Sequence, residues 1–231
     1  MPRKNSRKEY LENGYYHLYN RGVEKRLIFQ DGQDYNIFFY FLQNYLDPKK
    51  KTDSVTGLTD KMNLSGEIDL LSFCLMPNHF HFLLRQTVSD GIKKLMQRVF
   101  TSYVMYFNKK YRRVGPLFQG VYKAVLVESD EYLLYLSKYI HRNPISLRVR
   151  PLKGSDPQKI TNDLKFYSYS SYSNYLGLKR SDWIKSHPIL DYFSSSLSKT
   201  SKTQSYKFFV EETENSLELP MSLCIDSEEE L

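Results

Sequence analysis

The chain has 231 residues, 41% hydrophobic and 15% aromatic, enough for one domain with a packed core plus additions. No run approaches the roughly 20 apolar residues of a membrane span, and no apolar signal core follows the basic start Met1-Pro2-Arg3-Lys4-Asn5-Ser6-Arg7-Lys8. Two cysteines, Cys74 and Cys224, make no disulfide framework, so a cytoplasmic protein without a membrane partner is expected. The net charge of +7 is unevenly spread: Phe208 to Leu231 holds eight acids and no Lys or Arg, leaving 33 basic residues against the other 18 acids over residues 1–207. A basic, tyrosine-rich body is the composition of a nucleic-acid binder, whereas Asp226-Ser227-Glu228-Glu229-Glu230 reads as a solvated tail.

Tyr15-Tyr16-His17-Leu18-Tyr19 reads as a first strand, ending at the turn-like Asn20-Arg21-Gly22. Asp34 is the candidate N-cap of a helix through Ile37, Phe38, Phe41, Leu42 and Tyr45. Lys49 to Gly66 is polar and reads as a mobile loop. Leu70 to Met76 is an apolar strand, Met76-Pro77-Asn78 a turn, and a second strand runs through Leu83-Leu84. Ser89 or Asp90 opens a long helix whose Ile92, Leu95, Met96, Val99, Phe100, Tyr103, Val104 and Phe107 form a core-facing stripe. Tyr122 to Val127 is a fourth strand, and Ser129 caps a helix to about Arg142, stopped by Pro144.

Strand, helix, strand, strand, helix, strand is the split βαβ order, so the expected class is α+β: a ferredoxin-like (RRM-like) antiparallel sheet backed by two helices. The final helix then crosses the open face of the sheet. Beyond it, residues 151–193 hold Tyr172, Tyr175 and Trp183, Ser194 to Ser205 reads as flexible, and Tyr206 to Glu211 as a short docked helix. The expected organisation is a basic arm over 1–12, a main domain over 13–150, an extension over 151–212 and an acidic tail over 213–231.

Asn78-His79-Phe80-His81-Phe82 carries the first half of a candidate site. Side chains alternate along a strand, so His79 and His81 share one face and Phe80 and Phe82 the other, where a core belongs. Two neighbouring imidazoles can grip one divalent metal, although His-x-His is also found as two polar residues on a solvent face. The second half lies on the last helix, where Tyr139 and Asn143 are four apart and share a face. A phenol able to attack and a carbonyl oxygen able to ligate a hard cation would sit together. Tyr135 shares that face, but Asn143 lies one turn beyond Tyr139. His141 points elsewhere and reads as structural or DNA-facing; His17 on the first strand is placed where it could approach the site, but reads better as a satisfied structural histidine.

Met76-Pro77-Asn78-His79-Phe80-His81-Phe82, Gly115-Pro116-Leu117-Phe118-Gln119-Gly120 and Tyr139-Ile140-His141-Arg142-Asn143-Pro144 occur in this order. Over about residues 13–150 the chain resembles a single-tyrosine HUH transposase of the insertion-sequence type, and is most similar to the REP-associated tyrosine transposases. The resemblance implies that His79 and His81 bind Mg²⁺ or Mn²⁺, that Asn143 takes the place of the third ligand, and that Tyr139 is the nucleophile. It further implies single-stranded DNA hairpins as partners and a 5′-phosphotyrosine intermediate. Val121 is a departure, since many relatives carry Arg there.

For DNA contacts the candidates are Arg21, Lys109, Lys110, Arg112, Arg113 and Lys123, with Tyr111 and Phe118 for stacking and the arm Arg3 to Lys8 for the backbone. Each has a plain alternative as a solvated or core residue. Against the metal-dependent endonuclease and strand-transferase stand a catalytically silent, domesticated hairpin-binding regulator and a zinc-stabilised RNA-binding module. The sequence leaves a homodimer and a monomer both open.

Overall fold

The computed structural model describes residues 10–50, 62–145, 164–194 and 201–211. Residues 1–9 of the basic arm, the acidic tail and most of the Lys49 to Gly66 loop lie outside them. Four strands form one antiparallel sheet: β1 (Tyr15–Arg21), β2 (Ile68–Met76), β3 (His79–Gln86) and β4 (Lys123–Val127). Their order is β2-β3-β1-β4, with α1 (Gly32–Leu46) and α2 (Gly91–Lys110) as the connecting helices. This is the ferredoxin-like arrangement that the element order predicts.

Strand alternation divides the sheet residues between two cores. Leu18, Phe73, Leu75, Phe80, Phe82 and Leu84 pack with Phe38 and Leu42 of α1 and Ile92, Leu95, Val99 and Tyr103 of α2. Leu71, Cys74, Met76 and Leu83 lie in the second cluster with Leu133, Leu136 and Ile140 of α3 (Asp130–Arg142). Thus α3 covers the sheet face opposite α1 and α2. Ser129 accepts the Tyr132 amide at 3.3 Å and caps α3 as expected, with Asp130 and Glu131 in its first turn where the helix dipole favours acids.

The first helix begins three residues earlier than Asp34 predicts. Asp31 is its N-cap, accepting the Asp34 amide at 3.1 Å. Asp34 lies inside the first turn and is buried, and its carboxylate accepts from the Gln30 amide (2.7 Å), Tyr106 OH (3.0 Å), Tyr111 OH (2.8 Å) and Lys110 Nζ (2.8 Å). A buried carboxylate needs such a set of donors, and a one-dimensional pattern does not reveal them.

The extension is built from short pieces: α4 (Tyr172–Tyr175), α5 (His187–Leu190) and α6 (Lys202–Glu211). Ser201 to Ser205, expected to be flexible, instead start and enter α6, whose buried Tyr206 and Val210 anchor it on α3. The extension also covers the outer edge of β2. The Leu75 amide donates to Tyr169 O at 2.9 Å and the Lys185 amide to Leu70 O at 2.8 Å, removing an open strand edge.

Candidate active site on the open sheet face

Residues paired across antiparallel strands project to the same face. Tyr19 is opposite His81 and Arg21 opposite His79, while Lys123 is opposite Tyr19. His79, His81, Tyr19, Arg21 and Lys123 therefore occupy one face, the one α3 partly covers. The turn before β3 is held tightly: the Gly22 amide donates to Asn78 O at 2.8 Å, and a Cβ at Gly22 would lie 2.2 Å from Arg26 O. Only glycine admits that approach.

The last turn of α3 brings its side chains to the two histidines. The Asn143 amide bonds Ile140 O, so the helix tightens into a 3₁₀ turn over residues 143–145 and Asn143 keeps right-handed helical angles. Its Oδ1 lies 3.2 Å from His79 Nε2. The Tyr139 ring sits edge-on to His81 with centroids 5.3 Å apart, and edge-on to His17 at 6.3 Å. The ring of Tyr135 instead packs against Phe209 of α6 at 5.7 Å, which separates it from the histidines.

The donor set suits a hard divalent cation. His79 Nδ1 lies 2.7 Å from Asn78 Oδ1, so when it donates its proton there, the Nε2 lone pair faces the Asn143 carbonyl oxygen. Two acceptors facing each other at 3.2 Å repel unless a cation or proton lies between them. An octahedral Mg²⁺ with ligands at about 2.1 Å spaces neighbouring ligands about 3 Å apart. His81 Nε2 is buried and has no partner among the described residues. No three His, Cys, Asp or Glu side chains converge there among the described residues, and the further oxygen beside His79 is the Asn143 amide carbonyl. Imidazole nitrogens and an amide oxygen, acting as ligands, would bring no negative charge to a cation.

Burial depresses the basicity of these imidazoles. His17 is pushed down to about 3 by loss of water. His81 falls well below the ordinary histidine value, first through burial and then through His79 and His17. Both are therefore neutral near pH 7, the form a metal ligand requires. Of the two readings the sequence offers for His17, the geometry gives the approach to the site: its Nε2 lies 2.9 Å from His81 Nδ1. Its place on β1, two residues before Tyr19 and four before Arg21, was the available signal: all three share the site face.

The basic candidates divide. Arg21 and Lys123 flank the histidines; Arg21 Nε donates to Gln119 Oε1 at 2.5 Å, and Lys123 Nζ lies 5.8 Å from the Tyr19 ring centre. The Gly115 to Gly120 block thus returns to the end of β1, where the Gln119 amide also donates to Arg21 O at 2.8 Å. Lys109 and Arg112 are exposed at the end of α2. Lys110 is held by Asp31 and Asp34 (2.7 and 2.8 Å), and Arg113 donates to Asn108 Oδ1 and lies over Phe107. Phe118 is buried and stacked on Phe100, centroids 4.3 Å apart, so its face is used in the core rather than offered to a base.

The fold and site define an α+β protein with two histidines, one tyrosine and one amide gathered on one face of a ferredoxin-like sheet. A family model described as "Transposase IS200 like" matches residues 43–143, just under half of the chain. That stretch is similar to this insertion-sequence family, as the motifs implied, and contains His79, His81, Tyr139 and Asn143. No curated protein matches the chain. Among solved structures, that of a REP-associated tyrosine transposase bound to a REP hairpin aligns at 11% identity and TM-score 0.49, covering 79% of this chain and 92% of its own. A Deinococcus radiodurans R1 protein assigned as a transposase aligns at 16% identity and TM-score 0.35, covering 62% and 97% respectively.

Proposed function

We propose that this chain is a metal-dependent transposase that cleaves and rejoins single-stranded DNA at hairpins through a covalent link to Tyr139. One observation carries the reading: α3 sets Tyr139 and Asn143 against His81 and His79 of the same chain, with Asn143 Oδ1 3.2 Å from His79 Nε2 and the Tyr139 ring 5.3 Å from His81. The similarity of residues 43–143 to IS200-like transposases supports it, and the resemblance in the motifs supplies the hairpin as substrate class.

His79, His81 and Asn143 would hold Mg²⁺ or Mn²⁺, which when bound supplies charge to polarise a non-bridging phosphate oxygen. Neutral donors leave that charge uncancelled for the phosphate. Tyr139 Oη forms a bond to phosphorus as the bond from phosphorus to the 3′ oxygen breaks. The phenol proton passes to solvent, the departing oxygen takes up a proton, and a 5′-phosphotyrosine and a 3′-hydroxyl remain. One ester replaces another, so the reverse attack by a 3′-hydroxyl needs no nucleotide cofactor. Arg21 and Lys123 lie on the same face to hold the flanking phosphates. Their contribution is salt-dependent.

The test uses labelled single-stranded hairpins from the DNA flanking the gene, incubated with protein and Mn²⁺. A denaturant-resistant protein–DNA band that is lost in Tyr139→Phe and in His79→Ala is the expected result. A band that survives Tyr139→Phe overturns the assignment of the nucleophile. Metal-independent binding with no adduct on any flanking hairpin overturns the activity.

A further inference from the structure

His17 is fully buried, its Nε2 is 2.9 Å from His81 Nδ1, and the two rings lie nearly parallel with centroids 5.1 Å apart. Tyr19 flanks its ring at 4.8 Å and Tyr139 at 6.3 Å. A hydrogen bond between two neutral imidazoles contains one proton, so one ring donates and the other accepts. That single choice sets both tautomers. If His17 Nε2–H donated, His81 would carry its own proton on Nε2 and offer the site a donor without a lone pair. If His81 Nδ1–H donates, His81 Nε2 presents a lone pair and His17 carries its proton on Nδ1.

Both outer nitrogens, His81 Nε2 and His17 Nδ1, are buried without a partner among the described residues. Each tautomer therefore leaves one buried N–H unsatisfied, and the pair alone does not choose between them. A cation on His81 Nε2 does. Resting on the metal site proposed above, we infer that His17 is a positioning residue that accepts the His81 Nδ1 proton and so presents His81 Nε2 to the metal. His17 is placed behind the ligand and not beside the metal, because its Nε2 meets His81 Nδ1, the ring nitrogen that points away from Nε2. It lies on β1, outside the segment matched to the transposase family. The usual partner behind a metal-bound histidine is a carboxylate, a backbone carbonyl or water. A neutral imidazole orients the ligand without adding negative charge behind it, which keeps the full charge of the cation directed at the DNA.

The experiment is a titration of the full-length, metal-free protein with Mn²⁺ in the absence of DNA, followed by the electron paramagnetic resonance of the free ion. His79→Ala should abolish uptake. His17→Phe, which fills the space but accepts no proton, should weaken it by about 10–100-fold. His17→Gln, whose Oε1 can accept from the same Nδ1–H, should stay within a few-fold of the wild type. A packing role alone predicts the opposite order, since Phe replaces the ring better than Gln does. Wild-type affinity in His17→Phe, or equal weakness in Phe and Gln variants that both fold, overturns the role of His17. If the wild type takes up no Mn²⁺, or His79→Ala takes up as much, the metal reading itself falls and the role of His17 with it. Should His17→Phe fail to fold, ring ¹⁵N resonances of histidine-labelled wild type decide: with saturating Mg²⁺, His81 must be protonated at Nδ1, and protonation at Nε2 overturns the proposal.

Discussion

Two buried histidine environments lie on either side of Tyr139, and they differ in how their ring nitrogens are used. His141 is fully buried, its Nδ1 is 2.8 Å from Tyr206 OH and its Nε2 2.8 Å from Ser171 Oγ. Tyr206 OH in turn donates to Ser137 Oγ at 3.0 Å, and the rings of Tyr172 and Tyr175 close around the imidazole. Every polar atom of that ring is met, and the result is a rivet joining α3 to the extension. The His17–His81 pair is buried as deeply but shares one hydrogen bond and leaves a nitrogen open at each end. Burial costs a polar group its water whether or not the protein replaces it. An imidazole satisfied on both sides is held for structure; one left open toward a cluster of donors is available to bind.

The sharpest separation of the two environments comes from Tyr139→Phe, which touches only the open one. The covalent protein–DNA adduct should disappear entirely while the melting temperature stays at the wild-type value; a persisting adduct breaks the assignment. Tyr206→Ala acts on the rivet. It deletes a fully buried ring and strands His141 Nδ1, so denaturant unfolding should show a loss of about 3–5 kcal/mol. Loss of less than about 1 kcal/mol, a surface-like value, would mean the extension does not clamp α3.

Acid should expose the rivet as well. Burial pushes His141 down to about 3, below the ordinary 6.5, so the unfolded chain binds a proton that the folded chain does not. Its contribution to stability is whole above pH 6.5 and is lost as pH falls toward 3. Between pH 6.5 and 5 the loss is roughly 2 kcal/mol from this group. Thermal melts across that window should fall more steeply for the wild type than for His141→Gln; parallel curves would contradict a neutral, buried His141.

The smallest effects distinguish the basic residues. Arg21→Ala or Lys123→Ala should weaken single-strand binding and lower the dependence of log K on log salt by about 0.7 for each phosphate contact removed. Lys110→Ala should leave that slope unchanged and lower stability instead, because it strips the buried Asp34 of a charged partner. A reduced salt slope in Lys110→Ala would place α2 on the DNA path.

Much of this was readable in one dimension. The alternation in β3 put His79 and His81 on one face and Phe80 and Phe82 in the core, and the spacing on α3 put Tyr139 beside Asn143. Those are local periodicities, fixed by backbone geometry. Asp31 as the true cap, Phe118 in the core and Lys110 on Asp34 were not readable, because each depends on a partner distant in the chain. Ser201 to Ser205 are polar and read as flexible, yet they belong to α6, where Tyr206 and Val210 supply the burial that the polar turn lacks.

The sequence by itself determined the elements of the sheet domain, their order, the two-histidine strand and the helix carrying Tyr139, since these follow from periods of two and of three to four residues. Only the tertiary structure decided which histidines open onto the site and which are closed. His17, His81 and His141 are chemically identical in the sequence. Pairing β1 with β3 set His17 behind His81, and docking α6 on α3 gave His141 a partner at each nitrogen. The role of a buried imidazole is set by what meets its two nitrogens, and those atoms are brought there by folding.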